Sequence, residues 1–170
     1  MHLDIRDIRG YYDIENSRDY DYDDLVHLGI SPDNADVMTR ISVPGQLGDF
    51  IFYEKDRFQK TPIEGVVYIQ IGHYGYGEYG LYVKESGDEV CAGSVFHQPS
   101  IYTLNKNLRT FFLFHLIRNE LLMTMKRQGQ YTSYKYAGEL RKMYEQIDPV
   151  AMRDVEGYWS HLVEDYETGL

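Results

Sequence analysis

Between Asp49 and Phe96 the chain holds four short runs rich in Val, Ile, Tyr and Phe: "DFIFYE", "VVYIQIG", "YGLYVKE" and "EVCAGSVF". The spacers, "KDRFQKTPIEG", a glycine stretch and "SGD", carry turn chemistry and no helical pattern. "ESGDEV" has the length and composition of a hairpin turn, so the third and fourth runs pair antiparallel. This is a meander, not a βαβ unit.

The period then changes. Leu104, Leu108, Phe111, Phe112, His115, Leu116, Asn119, Leu122 and Met123 recur at helical spacing, with Thr103 as the expected N-cap and "RQGQYTS" as the stop. Leu108, Phe112, Leu116 and Met123 are expected on the side that faces the sheet. A second helix is predicted from about Tyr134 to Gln146. A third is predicted from Asp148, with Pro149 at its first position and Val155, Tyr158, Trp159, Leu162 and Tyr166 on it. Residues 3–28 read as short helices with a polar break, carrying Leu3, Ile5, Ile8, Tyr11, Tyr12 and Ile14 before "SRDYDYDD". The expectation is α+β: an antiparallel sheet of about four to six strands covered by helices, with a long helix after the sheet. One domain is expected over 1–170, with an acidic N-terminal segment and extra C-terminal helices.

Charge limits the partners. The net charge of −10 opposes direct binding to a nucleic-acid backbone, which calls for clustered Lys and Arg. The acids crowd the two ends. Asp4, Asp7, Asp13, Glu15, Asp19, Asp21, Asp23, Asp24, Asp33 and Asp36 face only Arg6, Arg9 and Arg18, and from Glu145 to Glu167 the only base is Arg153. Such a field is either a solvated face or a docking surface for a basic protein. The most apolar segment, Phe111 to Ile117, is far shorter than the roughly 20 residues of a membrane span. "MHLDIRDIRG" has no secretory pattern, and the single Cys91 allows no intrachain disulfide. These features predict a cytoplasmic protein that binds no membrane.

One well-known motif is present. Gly75, Gly77 and Gly80 have the G-x-G-x-x-G spacing directly after an apolar run. In a dinucleotide-binding fold that turn opens a helix, whereas here "LYVKESGDEV" reads as strand and turn. The protein-kinase version is nearer, but Tyr82 holds its valine position, and the V-A-I-K, H-R-D and D-F-G segments are missing. What remains is a glycine-permitted connection between strands, with Tyr74, Tyr76, Glu78 and Tyr79 at a possible protein-contact edge. His2, His27, His73, His97, His115 and His161 form no zinc-type pair, Ser94, Ser100 and Ser133 lie in no nucleophile elbow, and Cys91 reads as a small buried hydrophobe. No cofactor, metal or catalytic residue is expected. An enzyme would need dispersed residues such as His73, Glu78 and His97.

The order "VVYIQIGHYGYGEYGLYVKESGDEVCAGSVFH" followed by "SIYTLNKNLRTFFLFHLI" resembles the SUKH superfamily, the Smi/Knr-like cell-wall regulators and bacterial toxin-immunity proteins. The resemblance covers about residues 63–118. Ile71 and Gly72, Gly75 and Gly77, Tyr79 to Val83, Gly87 and Asp88, Val90, and Leu108 with Phe111 and Phe112 carry it. Pro44-Gly45 and Gly48 stand where consecutive glycines are usual, and the family's helix ahead of them is not recognisable in "ISPDNADVMTR". The resemblance implies a non-enzymatic immunity protein that occludes the active site of a cognate toxin, often a nuclease. The partner would then be a basic protein such as a toxin nuclease domain. Tyr20, Tyr22, Tyr74, Tyr76 and Tyr79 are the candidate anchors, with Asp19, Asp21, Asp23, Asp24 and Glu78 as complementary charges. The alternatives are the dispersed enzyme and a regulatory scaffold module.

Overall fold

The structure is a computed structural model that describes residues 4–11, 16–94 and 100–169. Leu3, Tyr12, Ile14, Phe96 and His97, named above, lie outside the described residues. Three short helices come first, α1 (Ile5–Tyr11), α2 (Tyr22–Leu28) and α3 (Pro32–Arg40). The strands follow as β1 (Gln46–Leu47), β2 (Phe50–Phe52), β3 (Gln59–Ile63), β4 (Val66–Tyr74), β5 (Tyr79–Lys84), β6 (Val90–Ser94) and β7 (Ile101–Asn105). Three longer helices close the chain: α4 (Leu108–Arg127), α5 (Ser133–Ile147) and α6 (Tyr158–Thr168). All strand pairs are antiparallel, in the order β1-β2-β4-β5-β6-β7, and β3 pairs with β4. The fold is α+β, with a 7-stranded antiparallel sheet and the long helix after it.

Alternation along the strands puts Phe50, Phe52, Ile69, Leu81, Val83 and Leu104 on one buried face. α4 lies on that face: Phe52 stacks on Phe112 at 5.5 Å and Phe50 meets Phe111 edge-on at 5.0 Å. α5 and α6 cover α4 from behind. Phe114 stacks on Tyr144 at 3.9 Å, and the Tyr144 hydroxyl donates to the Phe114 carbonyl at 2.8 Å. Every residue from Phe111 to Ile117 is therefore buried, as happens when a helix is covered all round. Leu108, Phe112 and Leu116 lie in this core as expected, but Met123 is 52 % exposed, and Leu121 and Met125 carry the buried stripe on instead.

Two boundaries and one helix differ from what the sequence predicts. Thr103 lies inside β7, and the N-cap of α4 is Asn107, whose side chain accepts from the Thr110 amide at 2.9 Å. Pro149–Met152 is a short 3-10 turn, and α6 starts only at Tyr158. Asp148 does not cap that turn with its side chain, because its carboxylate accepts from Asn105 Nδ2, the Lys106 amide and the Thr110 hydroxyl at 3.1, 2.9 and 2.7 Å. It thereby ties the end of α5 to the junction of β7 and α4. Finally, α3 opens with Ser31 as N-cap and Pro32 in its first turn, a start signal present in "ISPDNAD".

Candidate functional site

The glycine segment is the tip of the β4–β5 hairpin. Tyr74 pairs with Tyr79, and Gly75 and Gly77 turn the chain with φ of +69° and +85°, where a side chain would be strained. Gly72 is required for a different reason, since a Cβ there would lie 2.1 Å from the Ile51 carbonyl oxygen and only glycine lets β2 pass. β5 follows the turn directly, so the turn opens no helix.

Behind this tip the sheet meets α4 and α6 around a cleft of about 630 Å³. The wall nearest the hairpin is aromatic. Tyr74 and Tyr79 stack at 4.8 Å with ring planes 14° apart, and Tyr158, at the start of α6, stands edge-on to Tyr74 at 5.8 Å. The Tyr102 hydroxyl on β7 accepts from the Tyr158 amide at 3.1 Å, which joins the first residue of α6 to the sheet. Asp49, in the two-residue β1–β2 turn, accepts from the Tyr158 hydroxyl at 3.3 Å. Glu156 and Asp165 complete the acidic lining. Burial raises the pKa of the Tyr74, Tyr102 and Tyr158 phenols, with Tyr102 adding at Tyr74 and the Asp49 carboxylate adding at Tyr158. All three stay neutral hydrogen-bonding groups at physiological pH.

Arg118 on α4 supplies the cleft's guanidinium. Its Nη2 donates to the Tyr166 hydroxyl at 3.1 Å, and the group also lies 5.8 Å from that ring's centre. Burial disfavours its charge, but the Tyr166 bond and the nearby phenols outweigh this and hold its pKa above the ordinary value. At the rim, His161 stands between Glu156 at 3.1 Å and Glu164 at 3.6 Å. No group of three or more His, Cys, Asp or Glu suited to a metal ion occurs among the described residues.

The structure divides the residues singled out in the sequence. Tyr74 and Tyr79 line the cleft, Tyr76 stands wholly exposed at the hairpin tip, and Glu78 follows it in the same turn. The acidic segment is anchored elsewhere. Arg18 bonds to the Phe52 carbonyl, and the Ser86 amide donates to the Gly29 carbonyl at the end of α2, on the β5–β6 turn. That turn is at the other end of β5 from Tyr79, about 17 Å along the strand. Asp19, Tyr22, Asp23 and Asp24 are exposed. Tyr20 does not serve as an exposed anchor: it is only 9 % exposed, and its hydroxyl donates to the Tyr53 carbonyl at 2.5 Å. Asp21 caps α2 by accepting from the Asp24 amide at 2.9 Å, so its carboxylate already has a structural role. His73 bonds through Nδ1 to the Tyr53 hydroxyl at 2.8 Å on the sheet face away from α4. Asp49, Tyr102, Arg118, Tyr158 and Asp165 carry no local signal that marks them as site residues, and only folding brings them together.

No family model matches the chain, and neither does any curated protein or solved structure. Among the described residues no helix is long and apolar enough to cross a membrane.

Proposed function

We propose that this chain is a non-enzymatic protein-binding module of the SUKH type, an immunity protein that neutralises a cognate toxin by covering its active site. The observation that carries this reading is the β4–β5 tip. Tyr76 is fully exposed on a turn that two positive-φ glycines permit, with the half-exposed Tyr79 beside it and Glu78 in the same turn. A tyrosine has only two side-chain torsions to freeze, so a large exposed ring loses little side-chain entropy on contact, which is what a binding anchor requires. The net charge of −10 favours a basic partner, and carboxylates set against a nuclease's substrate face would take the place of phosphates. The reading places the protein in the cytoplasm, in keeping with a single buried Cys91 thiol.

The test is a pull-down from the native host with mass spectrometry, followed by surface plasmon resonance against the recovered protein. A basic toxin domain bound one to one and inactivated on binding is the expected result. Substrate turnover by the purified chain alone, lost on changing His73 or Glu78, would move the assignment to a small enzyme.

A further inference from the structure

We propose that the tyrosine-walled cleft is a receptor for a guanidinium side chain, an arginine presented by the protein partner; the inference rests on the protein-binding reading above and assigns it a site. The sign of the ligand's charge comes from the lining. Asp49 and Asp165 stand against Arg118, whose guanidinium is engaged by the hydroxyl and ring of Tyr166, and the third carboxylate, Glu156, faces His161. His161 adds no free cation, because it lies between Glu156 and Glu164. No Lys, Arg or His lies within ion-pair distance of Asp49 among the described residues. Its carboxylate accepts from the Tyr158 hydroxyl at 3.3 Å, which leaves lone pairs open for a second donor.

The shape of the wall selects among cations. Tyr74, Tyr79 and Tyr158 are contiguous, with ring contacts of 4.8 and 5.8 Å, and Asp49 stands at the Tyr158 end. A guanidinium can lie flat on a phenol face and give two parallel hydrogen bonds to a carboxylate, and it sheds water more readily than an ammonium. Asp49, exposed and holding only the Tyr158 hydroxyl among the described residues, is therefore the carboxylate of the arginine subsite. The cleft volume of about 630 Å³ is ample for one such side chain and part of its backbone.

The probe is a blocked Gly-Arg-Gly peptide, with its citrulline twin as the uncharged isostere and a lysine version as the ammonium control. All are titrated into the isolated chain and read by amide NMR shifts at Tyr79, Glu156 and Tyr158. Saturable shifts are expected with arginine, with lysine weaker and citrulline at least about tenfold weaker. Asp49→Asn should weaken arginine several-fold and leave citrulline unchanged, and Tyr79→Leu should weaken arginine as well. Glu145→Gln and Asp33→Asn, remote from the cleft, serve as charge controls. Equal binding of arginine and citrulline would overturn the proposal, as would indifference to Asp49→Asn or a loss as large in the remote controls. So would shifts produced instead by acetate and lost in Arg118→Gln, which would make this an anion site. Because the chain is tested alone, arginine binding without any captured toxin sinks the immunity reading and leaves the cleft standing. A captured toxin without arginine binding does the reverse.

Discussion

Replacing His115 with leucine should remove a specific piece of the protein's acid sensitivity. His115 is 4 % exposed, ringed by Phe111 at 4.9 Å, Trp159 at 5.0 Å and Phe50 at 5.5 Å, and its Nε2 has no hydrogen-bond partner among the described residues. Burial, and then the nearby Arg118 charge, push its pKa down to about 3, from an ordinary value of 6.5. The folded state therefore stays neutral where the unfolded state takes up a proton. Stability is complete above the unfolded value and falls as the pH drops from about 6.5 toward about 3. At about 1.36 kcal/mol per pH unit, the loss from this residue between pH 7.5 and 4.5 is roughly 3 kcal/mol. Leucine has a similar volume and cannot titrate, so the common contribution of the carboxylates cancels in the comparison. Urea unfolding followed by fluorescence of the buried Trp159, for both proteins across this range, gives the difference directly. The gap should widen in the variant's favour by about 3 kcal/mol on acidification. Parallel curves, with a gap constant to within about 0.5 kcal/mol, would show that the imidazole is hydrated or paired and that the argument from burial is wrong.

Three other places in the molecule respond to substitution in distinct ways. Asp148→Ala strips the partners from Asn105, the Lys106 amide and the Thr110 hydroxyl at a buried junction, and should cost about 3 kcal/mol or more by urea midpoint, with Asp148→Asn costing less. Gly72→Ala forces a Cβ to 2.1 Å from the Ile51 carbonyl oxygen and should split β2 from β4, seen as loss of amide protection at Tyr53, whose N–H donates to the Ile71 carbonyl on β4, whereas Gly77→Ala, with open space around it, should cost only about 1 kcal/mol. Against the captured partner, reversing Asp19, Asp23 and Asp24 to lysine, with the cap Asp21 kept, should slow association and reduce its salt dependence, while Tyr76→Ala should speed dissociation by a factor equivalent to about 2 kcal/mol; an association rate indifferent to both salt and the reversal would remove charge steering.

The parts of the fold legible in the sequence are those with one buried face or one strong cap. β2, β4, β5 and β6 announce themselves through Phe, Val, Ile and Tyr in short runs, and α4 through apolar residues over several turns. β3 escapes because it pairs only with β4, at the sheet's edge, and is half exposed, so "QKTPI" has no apolar alternation, and Pro62 argues against a strand except at an edge. β7 is absorbed into the helical pattern because Leu104 falls in phase with Leu108, although Ile101, Tyr102 and Thr103 favour a strand. The late start of α6 depends on Asp148 bonding to residues more than 35 positions away, a contact that no local pattern encodes.

The site is legible only in its glycine half. Two glycines around a tyrosine in a strand-to-strand connection permit a sharp turn, so "GYG" points to a hairpin tip, where the structure leaves Tyr76 exposed. Composition misleads at "RDYDYDD", where the same alternation of tyrosine and aspartate yields one buried ring, Tyr20, and one helix cap, Asp21. The cleft has no local signature at all, since Asp49, Tyr102, Arg118 and Tyr158 sit in a turn, an edge strand and two helices. Each residue alone reads as surface or core. Their common position follows from α6 docking its first turn on Tyr102 while α4 carries Arg118 past the sheet, which makes the cleft a product of packing between the sheet and the C-terminal helices. α6 therefore builds one wall of the proposed arginine receptor, and partner recognition through this cleft should depend on α6 as much as on the glycine hairpin.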